Sequence, residues 1–300
     1  MNKLARYSLT LAALGLASQT SLRAATLIEE TFAYDPGNVA GNNGGTGFAG
    51  AWVSSRGNPQ IEATDKGWGD LDSGGGHARG GAWSGVTRSI GSTLSSAGLM
   101  DNGTTLWFSV VMDLQAQNIS NADLNLSLGS AAFVNNDFGN RENLASGEGI
   151  GVTHSRANIQ GVYWQDIDAD TVAERTENNS SLTINGDAGD TSSGVNTRAL
   201  IAGRIDWGAD ASASETLTLY APALDLSLGT PIMAAWTIPA LDQSVFDTLA
   251  VQFKDQAQID EIRFGATAAD VLPTSVIPEP SSALLMALGA AGMILRRRRH

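Results

Sequence analysis

Residues 106–114 read Leu-Trp-Phe-Ser-Val-Val-Met-Asp-Leu, and large apolar residues occupy every second position of this stretch. Successive side chains of a β-strand point to opposite faces of its sheet, so the pattern predicts a strand with one face in a hydrophobic core and the other in water. The same period of two recurs at residues 124–128, 216–220 and 249–253. No segment of the body has the 3.6-residue period of a long amphipathic helix. We therefore expect an all-β protein.

Further strand candidates surround these stretches and are separated by clusters of Gly, Asn, Asp and Ser, which favour turns. The candidates are residues 26–33, 82–90, 150–154, 163–167, 198–206 and 258–265, and the clusters include 41–50, 74–76 and 185–194. Many short strands with glycine-rich turns are typical of a two-sheet sandwich. The sequence thus predicts one antiparallel jelly-roll β-sandwich over residues 26–273.

The N-terminal residues 1–25 have the features of a secretory signal peptide. Lys3 and Arg6 form a positive region, and residues 9–17 form an apolar stretch too short to span a membrane. Small residues at Ala24 and Ala25 offer a cleavage site. We expect the chain to be exported.

The C-terminal residues 274–300 carry a second targeting pattern. Pro278, Glu279 and Pro280 precede the uncharged residues 281–295, and a basic stop follows at residues 296–300. An α-helix over 281–295 is about 22 Å long, and the two apolar residues before the prolines extend it toward the ~30 Å of a bilayer core. The basic stop consists of Arg296, Arg297, Arg298, Arg299 and His300.

Motif, apolar helix and arginines together resemble the PEP-CTERM sorting signal of bacterial exported proteins. The resemblance implies an exosortase-type membrane protease as partner, with residues 281–295 as a transmembrane helix in the inner membrane before processing. Arginines stay on the cytoplasmic side of a membrane, which places the body on the outer face. The expected destination is the cell surface or the extracellular matrix. A buried apolar helix with a basic end is the alternative.

The body between the two signals is strongly acidic. Seven of the chain's 18 basic residues and one of its 31 acidic residues lie in the terminal segments, so the body carries a net charge of about −19. Such a surface repels nucleic acid and anionic lipid and favours cations, and we exclude nucleic acid as a partner. The chain has no cysteine, so no disulfide stabilises the exported body.

The order of several short motifs resembles the concanavalin A-like, laminin-G-like domains that often precede PEP-CTERM tails. The resemblance implies two curved antiparallel sheets whose concave side can hold carbohydrate. Its motifs are Glu30-Thr31-Phe32, Tyr34, residues 44–52, Thr87-Arg88-Ser89, residues 204–207, residues 215–220 and residues 259–265.

Catalytic patterns are missing from the sequence. Retaining glycosidases need two carboxyl groups ~5 Å apart, and the laminarinase-like branch of the fold supplies them from a Glu-x-Asp pattern that this chain lacks. Asp260 and Glu261 are adjacent on a predicted strand and are expected on opposite faces. His77 and His154 are the body's two histidines, and we interpret them as structural. The sequence therefore predicts that the protein is not an enzyme.

Acidic residues offer a candidate calcium site. Asp166, Asp168 and Asp170 alternate on one stretch, with Glu177 at the twelfth position of an EF-hand-like spacing. Thr171 replaces the glycine that an EF-hand loop requires, so we expect a looser calcium site at the three aspartates. A second candidate cluster contains residues 187 and 190. A solvated acidic loop is the alternative.

These observations predict a non-catalytic, exported surface or extracellular-matrix protein that binds carbohydrate. Aromatic side chains near turns are candidates for stacking on sugars, although a tryptophan in a β-sandwich often belongs to the core. The sequence does not identify a carbohydrate-binding residue, and the tryptophans near turns are Trp52, Trp68, Trp83 and Trp164. The alternatives are a divergent glycoside hydrolase or lyase of the same fold, and a structural matrix protein without a ligand.

Overall fold

The computed structural model describes residues 26–69, 71, 74–114, 122–130, 144–145, 147–155, 158–165, 172–183 and 198–273. The predicted signal peptide over 1–25 and the predicted sorting tail over 274–300 lie outside these residues. Among the described residues, no helix is long and apolar enough to cross a membrane.

The described residues form seventeen strands and three single helical turns. The strands are β1 (Ile28–Glu30), β2 (Gly37–Asn38), β3 (Val53–Arg56), β4 (Gln60–Glu62), β5 (His77–Arg79), β6 (Trp83–Ser89), β7 (Thr105–Asp113), β8 (Asp123–Gly129), β9 (Leu144–Ala145), β10 (Gly149–Ser155), β11 (Asn158–Gln165), β12 (Val172–Thr183), β13 (Arg198–Asp206), β14 (Glu215–Tyr220), β15 (Pro231–Ile238), β16 (Thr248–Lys254) and β17 (Gln258–Gly265). The helical turns are α1 (Thr93–Ser96), α2 (Ala268–Val271) and a 3₁₀ turn at Gln243–Val245. The all-β prediction is confirmed.

The strands make two antiparallel sheets. The nine-stranded sheet has the order β15-β14-β13-β7-β17-β5-β4-β2, and β1 pairs with β17 beside β5. The eight-stranded sheet has the order β3-β6-β16-β8-β10-β11-β12-β9. Chain neighbours are often not sheet neighbours: β16, for example, lies between β6 and β8. The predicted two-sheet sandwich is therefore confirmed.

The main core lies between the sheets and is built by the alternation seen in the sequence. Every second residue of β7 faces it, and so do alternating residues of β8 and β16 from the opposite sheet. These core residues include Leu106, Phe108, Val110, Met112, Leu124, Leu126, Leu128, Leu249, Val251 and Phe253. Burial of such side chains contributes ~1.5–3 kcal/mol each, which makes this layer the largest favourable term in folding.

The opposite face of β7 is also buried, and the expectation that it faces water was wrong. Val111 packs there in a second apolar cluster with Leu200 and Leu226, and Trp107 lies partly buried beside it. Residues of α2 and of the loop after β14 cover this face, including Val271. Alternation with a period of two shows that a strand has two different faces. It does not show whether the less apolar face is exposed to water or covered by other segments of the chain.

Several edge strands were not predicted. β15 and β3 are the outermost strands of their sheets, and their sequences, Pro-Ile-Met-Ala-Ala-Trp-Thr-Ile and Val-Ser-Ser-Arg, do not alternate. β12 reads as a largely polar run. An edge strand packs only one flank against neighbours, so its sequence is under weaker constraint than that of a central strand.

A buried ion pair links the two sheets. The Glu30 carboxylate at the end of β1 lies 2.6 Å from the Arg88 guanidinium on β6, and both side chains are about 1% exposed. The same carboxylate accepts hydrogen bonds from the Phe32 amide, the Tyr34 hydroxyl and the Trp52 indole. Burial and the nearby Glu30 carboxylate raise the pKa of Tyr34 to about 12, so its hydroxyl remains a donor.

The guanidinium also fixes the glycine-rich loop 41–50. Arg88 donates to the carbonyls of Gly50 and Gly44, and it stacks 3.8 Å from the centre of the Phe48 ring. Gly47 has φ +82°, and a Cβ atom there would lie 2.0 Å from the Leu27 carbonyl oxygen. A close approach of this kind requires glycine. The loop therefore closes one end of the sandwich over the ion pair.

Replacing Arg88 by Met should lower the free energy of unfolding by about 3–5 kcal/mol, because it leaves the Glu30 charge buried without its cation. Urea denaturation measures the change. Arg204→Met is the matched control: Arg204 pairs with Asp206, but the two side chains are 44% and 32% exposed. Loss of such a pair should cost less than about 1 kcal/mol. Equal, small losses in the two variants would contradict the proposed role of the buried pair.

Candidate functional site

The predicted functional residues separate into those outside and those inside the described part of the chain. The sorting motif Pro278, Glu279 and Pro280, the arginines 296–299 and the calcium candidates Asp166, Asp168 and Asp170 lie outside it, as do residues 187 and 190. Their roles stay predictions.

The histidines and tryptophans inside it are mostly inaccessible. His77 and His154 have 0% and 1% of their surface exposed. Trp52 and Trp164 are buried, and Trp68 and Trp83 are partly buried. The Trp83 ring makes cation–π contacts with two side chains, since Arg56 Cζ and Lys254 Nζ lie 5.7 and 4.7 Å from its centre. Of the four tryptophans near turns, only Trp68 and Trp83 therefore offer any surface to a sugar.

Asp260 and Glu261 lie together, contrary to the expectation that they occupy opposite faces. The register of β17 against β7 shifts between Asp260 and Arg263, and Glu261 has a left-handed φ of +53°. This irregularity interrupts the alternation of side chains, as a β-bulge does. Carboxylate oxygens of Asp65, Asp260 and Glu261 consequently lie within 4.8 Å of one another. We call these three residues the acidic cluster.

The loop between β4 and β5 supplies the third carboxylate and docks onto β17. The Lys66 amide donates to Asp260 Oδ2 at 3.1 Å, and the Glu261 amide donates to Oδ1 of the same carboxyl group at 2.8 Å. Asp65 accepts from the Gly67 amide, which closes a tight turn in the loop. Backbone donors thus fix the Asp260 carboxyl group on both of its oxygens.

Two cations pair with carboxylates in and beside the acidic cluster. Arg263 lies 2.8 Å from Glu261 and 2.9 Å from Glu29, and Lys66 lies 3.4 Å from Asp113. Asp65 and Asp260 lie close to the Glu261 carboxylate as well. Buried carboxyl groups this close together favour the uptake of a proton or a cation.

Asp260 takes up a proton in this environment. Burial raises the pKa of Asp260 to about 9, and repulsion from Glu261 and a hydrogen bond with Asp65 act in the same direction. At neutral pH this side chain is therefore a neutral acid that can donate to Asp65. Without the bulge, the Glu261 carboxylate, whose charge adds to the effect of burial, would face the other side of the sheet.

The chemistry open to the acidic cluster follows from its oxygens and its burial. Three converging carboxylate oxygens are hard ligands of the kind that Ca²⁺ prefers, and a cation there would displace the Asp260 proton. The carboxyl spacing also resembles that of a retaining glycosidase pair, ~5 Å. Asp260 and Glu261 each expose 0% of their surface, however, so a polysaccharide cannot reach them. The cluster suits a cation or a proton and does not suit a polymer.

A second feature, the loop-end cleft, is open to solvent. It has a volume of about 550 Å³ and is lined by Met100, Asp101, Asn102, Glu148, Leu241 and Asp242, among others. Four loops form it: the turn before β7, the residues before β10, the connection from β13 to β14, and the connection from β15 to β16. The cleft thus brings both sheets together at one end of the sandwich.

Two glutamates hold the wall of the cleft in place. Glu148 accepts from the Asp242 amide and from the Gln165 side chain. Behind the wall, Glu215 accepts from the Leu241 amide at 3.2 Å with both oxygens. Burial raises the pKa of Glu215, although the Leu241 hydrogen bonds oppose the shift. Sequence reasoning missed this cleft because its residues come from four separate loops, none of which carries a recognisable motif.

The C-terminal segment has a recognised family pattern. Residues 276–299 match the family described as the PEP-CTERM protein-sorting motif. This match confirms the PEP-CTERM resemblance, and the motif implies an exported protein that is sorted by an exosortase at the membrane.

Comparison of the body with known proteins is less informative. Curated proteins give no match to the sequence. A structure titled as a conserved carbohydrate esterase from Shiga toxin-encoding bacteriophage phi24B is 14% identical with a TM-score of 0.44, over 81% of this chain and 99% of that chain. The binding domain of botulinum neurotoxin DC, solved with rat synaptotagmin II, is 9% identical with a TM-score of 0.41, over 83% of this chain and 51% of that one. Likenesses this weak assign neither a family nor a function to the body.

The acidic cluster predicts a particular pH dependence of stability. An aspartate whose pKa is raised from 3.8 to about 9 binds a proton in the folded state that the unfolded state lacks, so its contribution to stability falls as the pH rises through that window. His154 has the opposite effect below pH 6.5, because burial lowers its pKa to about 4. The contribution of Asp260 is therefore read most clearly above pH 6.5.

Between pH 6.5 and 9, we expect the free energy of unfolding to decrease by up to about 1.4 kcal/mol per pH unit. Asp260→Asn keeps the shape of the protonated acid and gives up one of the two backbone hydrogen bonds that the carboxyl group accepts. It should therefore lower the stability at every pH but remove this slope. Urea denaturation at several pH values in the presence of a chelator measures it, and Asp225→Asn, at an exposed aspartate, is the control. A slope that survives in Asp260→Asn would show that another group titrates.

Proposed function

We propose that this protein is a non-catalytic, exported β-sandwich protein that is sorted through its PEP-CTERM tail and binds polysaccharide at the cell surface or in the extracellular matrix. The observation that carries the proposal is the sorting-motif match at residues 276–299. Such a tail directs a protein outward, so its body meets the polymers outside the cell. The predicted signal peptide over residues 1–25 agrees with this route.

The architecture of the body supports a concanavalin A-like jelly roll within this proposal. Two large antiparallel sheets pack around one core, and central strands pair with partners far away in the sequence. Three of the motifs that carry the resemblance meet at one place: Glu30 and Arg88 form the buried ion pair, and the loop 44–52 wraps around it. These motifs occur together in the sequence because their residues contact one another in the folded protein.

The absence of catalysis is part of the proposal and has a specific support. Among the described residues, the acidic cluster brings three carboxyl groups within 4.8 Å of one another, and burial closes it to a polymer. The loop-end cleft is accessible, and its Glu148 is engaged in holding the wall. The alternative is a glycoside hydrolase or lyase, and the activity measurement below tests for it.

The sorting route is tested by the intact mass and the cell fraction of the protein in its native host. We expect a product that begins near Ala25, ends near Pro278 and lies outside the inner membrane. Replacing Pro278, Glu279 and Pro280 by Ala should leave the tail attached and the protein in the membrane fraction, because the protease no longer recognises it. A wild-type chain that keeps its full tail in the membrane would make residues 281–295 a plain anchor.

The binding activity is tested with the mature protein and a panel of neutral, acidic and amino-group-bearing polysaccharides. We expect retention of the protein on at least one polymer and no release of reducing ends or unsaturated products. Retention on no member of the panel would contradict polysaccharide binding and favour a purely structural matrix protein. Release of products would establish the hydrolase or lyase.

A further inference from the structure

We propose that the loop-end cleft binds polysaccharide chains that carry free amino groups, of which a polymer of deacetylated glucosamine is the simplest example. This inference rests on the proposed function, since it names the class of polysaccharide and the place where it binds. The argument uses the charge, the rigidity and the polar and apolar lining of the cleft.

The acidic lining of the cleft favours a positively charged ligand. Of the described residues that line the cleft, Asp101, Glu148 and Asp242 are acidic and none is basic. The buried Glu215 adds a fourth carboxyl group behind the wall. A sugar with an ammonium group gains from this potential, whereas a uronic acid is repelled by it. The acidic surface of the whole body acts in the same direction.

Two of the three lining carboxylates, those of Glu148 and Asp242, are held in position before a ligand arrives. Glu148 is fixed by the Asp242 amide and by the amide of Gln165, which also donates to the Ala240 carbonyl at 2.7 Å. Asp242 caps the 3₁₀ turn by accepting from the amide and the hydroxyl of Ser244. A binding site that is already ordered loses little conformational entropy when the ligand binds.

The uncharged lining suits a sugar ring. Asn102 is exposed, and the buried Gln243 holds it by donating from Nε2 to Asn102 Oδ1 at 2.7 Å. The amide NH2 group of Asn102 can donate to a sugar hydroxyl group. Met100 and Leu241 form an apolar base of the cleft and are largely buried themselves. A volume of about 550 Å³ is within the range of small-ligand sites, ~300–1,000 Å³. The cleft can therefore hold one or two sugar units of a longer chain.

Acetylation of the amino group is the sharpest chemical test. It removes the positive charge and adds an acetyl group, while the ring and its hydroxyl groups stay unchanged. We expect glucosamine oligomers to bind the mature protein, measured by titration calorimetry near pH 6, and N-acetylglucosamine oligomers of equal length to bind at least tenfold more weakly. Raising the salt to about 1 M, where charges are screened beyond ~3 Å, should weaken the binding of glucosamine oligomers.

Two variants locate the interaction. Asp101→Asn with Asp242→Asn removes two of the lining charges at nearly constant shape and should reduce the affinity for glucosamine oligomers at least tenfold. Asp225→Asn is the matched control, because Asp225 also caps a turn, by accepting from the Ser227 amide, on a loop that does not line the cleft. Asp101→Asn alone, at an exposed position, keeps the test valid should the double variant fold poorly.

The outcomes separate this inference from the proposed function. Binding of a neutral glucan without binding of glucosamine oligomers, or equal affinity for acetylated and deacetylated oligomers, would overturn the inference alone. Unchanged affinity in the Asp101 variants would also overturn it, as would equally tight binding of spermine, which would indicate general attraction of cations. Binding of no polysaccharide at all would overturn the proposed function together with it.

Discussion

The Glu30–Arg88 ion pair is the interaction on which the arrangement of the sandwich depends. It joins β1 of the nine-stranded sheet to β6 of the eight-stranded sheet, and its members are almost fully buried. Two buried ions are costly unless their hydrogen bonds are complete. Glu30 accepts from four donors, and Arg88 reaches the carbonyls of the loop 41–50. The loop must therefore fold tightly around the pair, which explains its glycines.

The acidic cluster resolves the same electrostatic problem in another way. At Glu30 the compensating charge is the Arg88 guanidinium, whereas Asp260 lies close to the carboxylates of Asp65 and Glu261. The negative charge there is reduced by a proton, as the raised pKa of Asp260 indicates. A site that depends on a mobile proton responds to pH and to cations, and a site neutralised by Arg88 does not. The acidic cluster on β17 is thus sensitive to the pH outside the cell, whereas the ion pair between β1 and β6 is not.

The alternation of residues 106–114 predicted the architecture well because central strands are constrained on both flanks and on the core face. The bounds of β13 and β17 agree with the predicted strands at 198–206 and 258–265. The second apolar layer over Val111 was missed, since the residues that cover it come from α2 and a distant loop. The edge strands β3 and β15 were missed because their exposed flanks permit irregular sequences.

The site was harder to predict than the fold, for a reason that Glu261 makes concrete. Its left-handed φ reverses the expected direction of one side chain, and a glutamate carries no sequence signal for that conformation. Asp65 then completes the acidic cluster from a loop about 195 residues away in the chain. Alternation is a local property, but bulges and loop docking depend on tertiary contacts.

The two ends of the chain and its body have opposite electrostatic roles, and this difference limits where the protein can act. The tail carries four arginines beyond its apolar segment, and the body carries a net charge of about −19. An anionic membrane surface attracts the first and repels the second. A body still joined to its tail would therefore be repelled by the same surface that attracts the arginines. Removal of the tail, which the PEP-CTERM resemblance implies, would let that repulsion favour release toward the outside, where a cationic polymer would be attracted and an anionic one repelled.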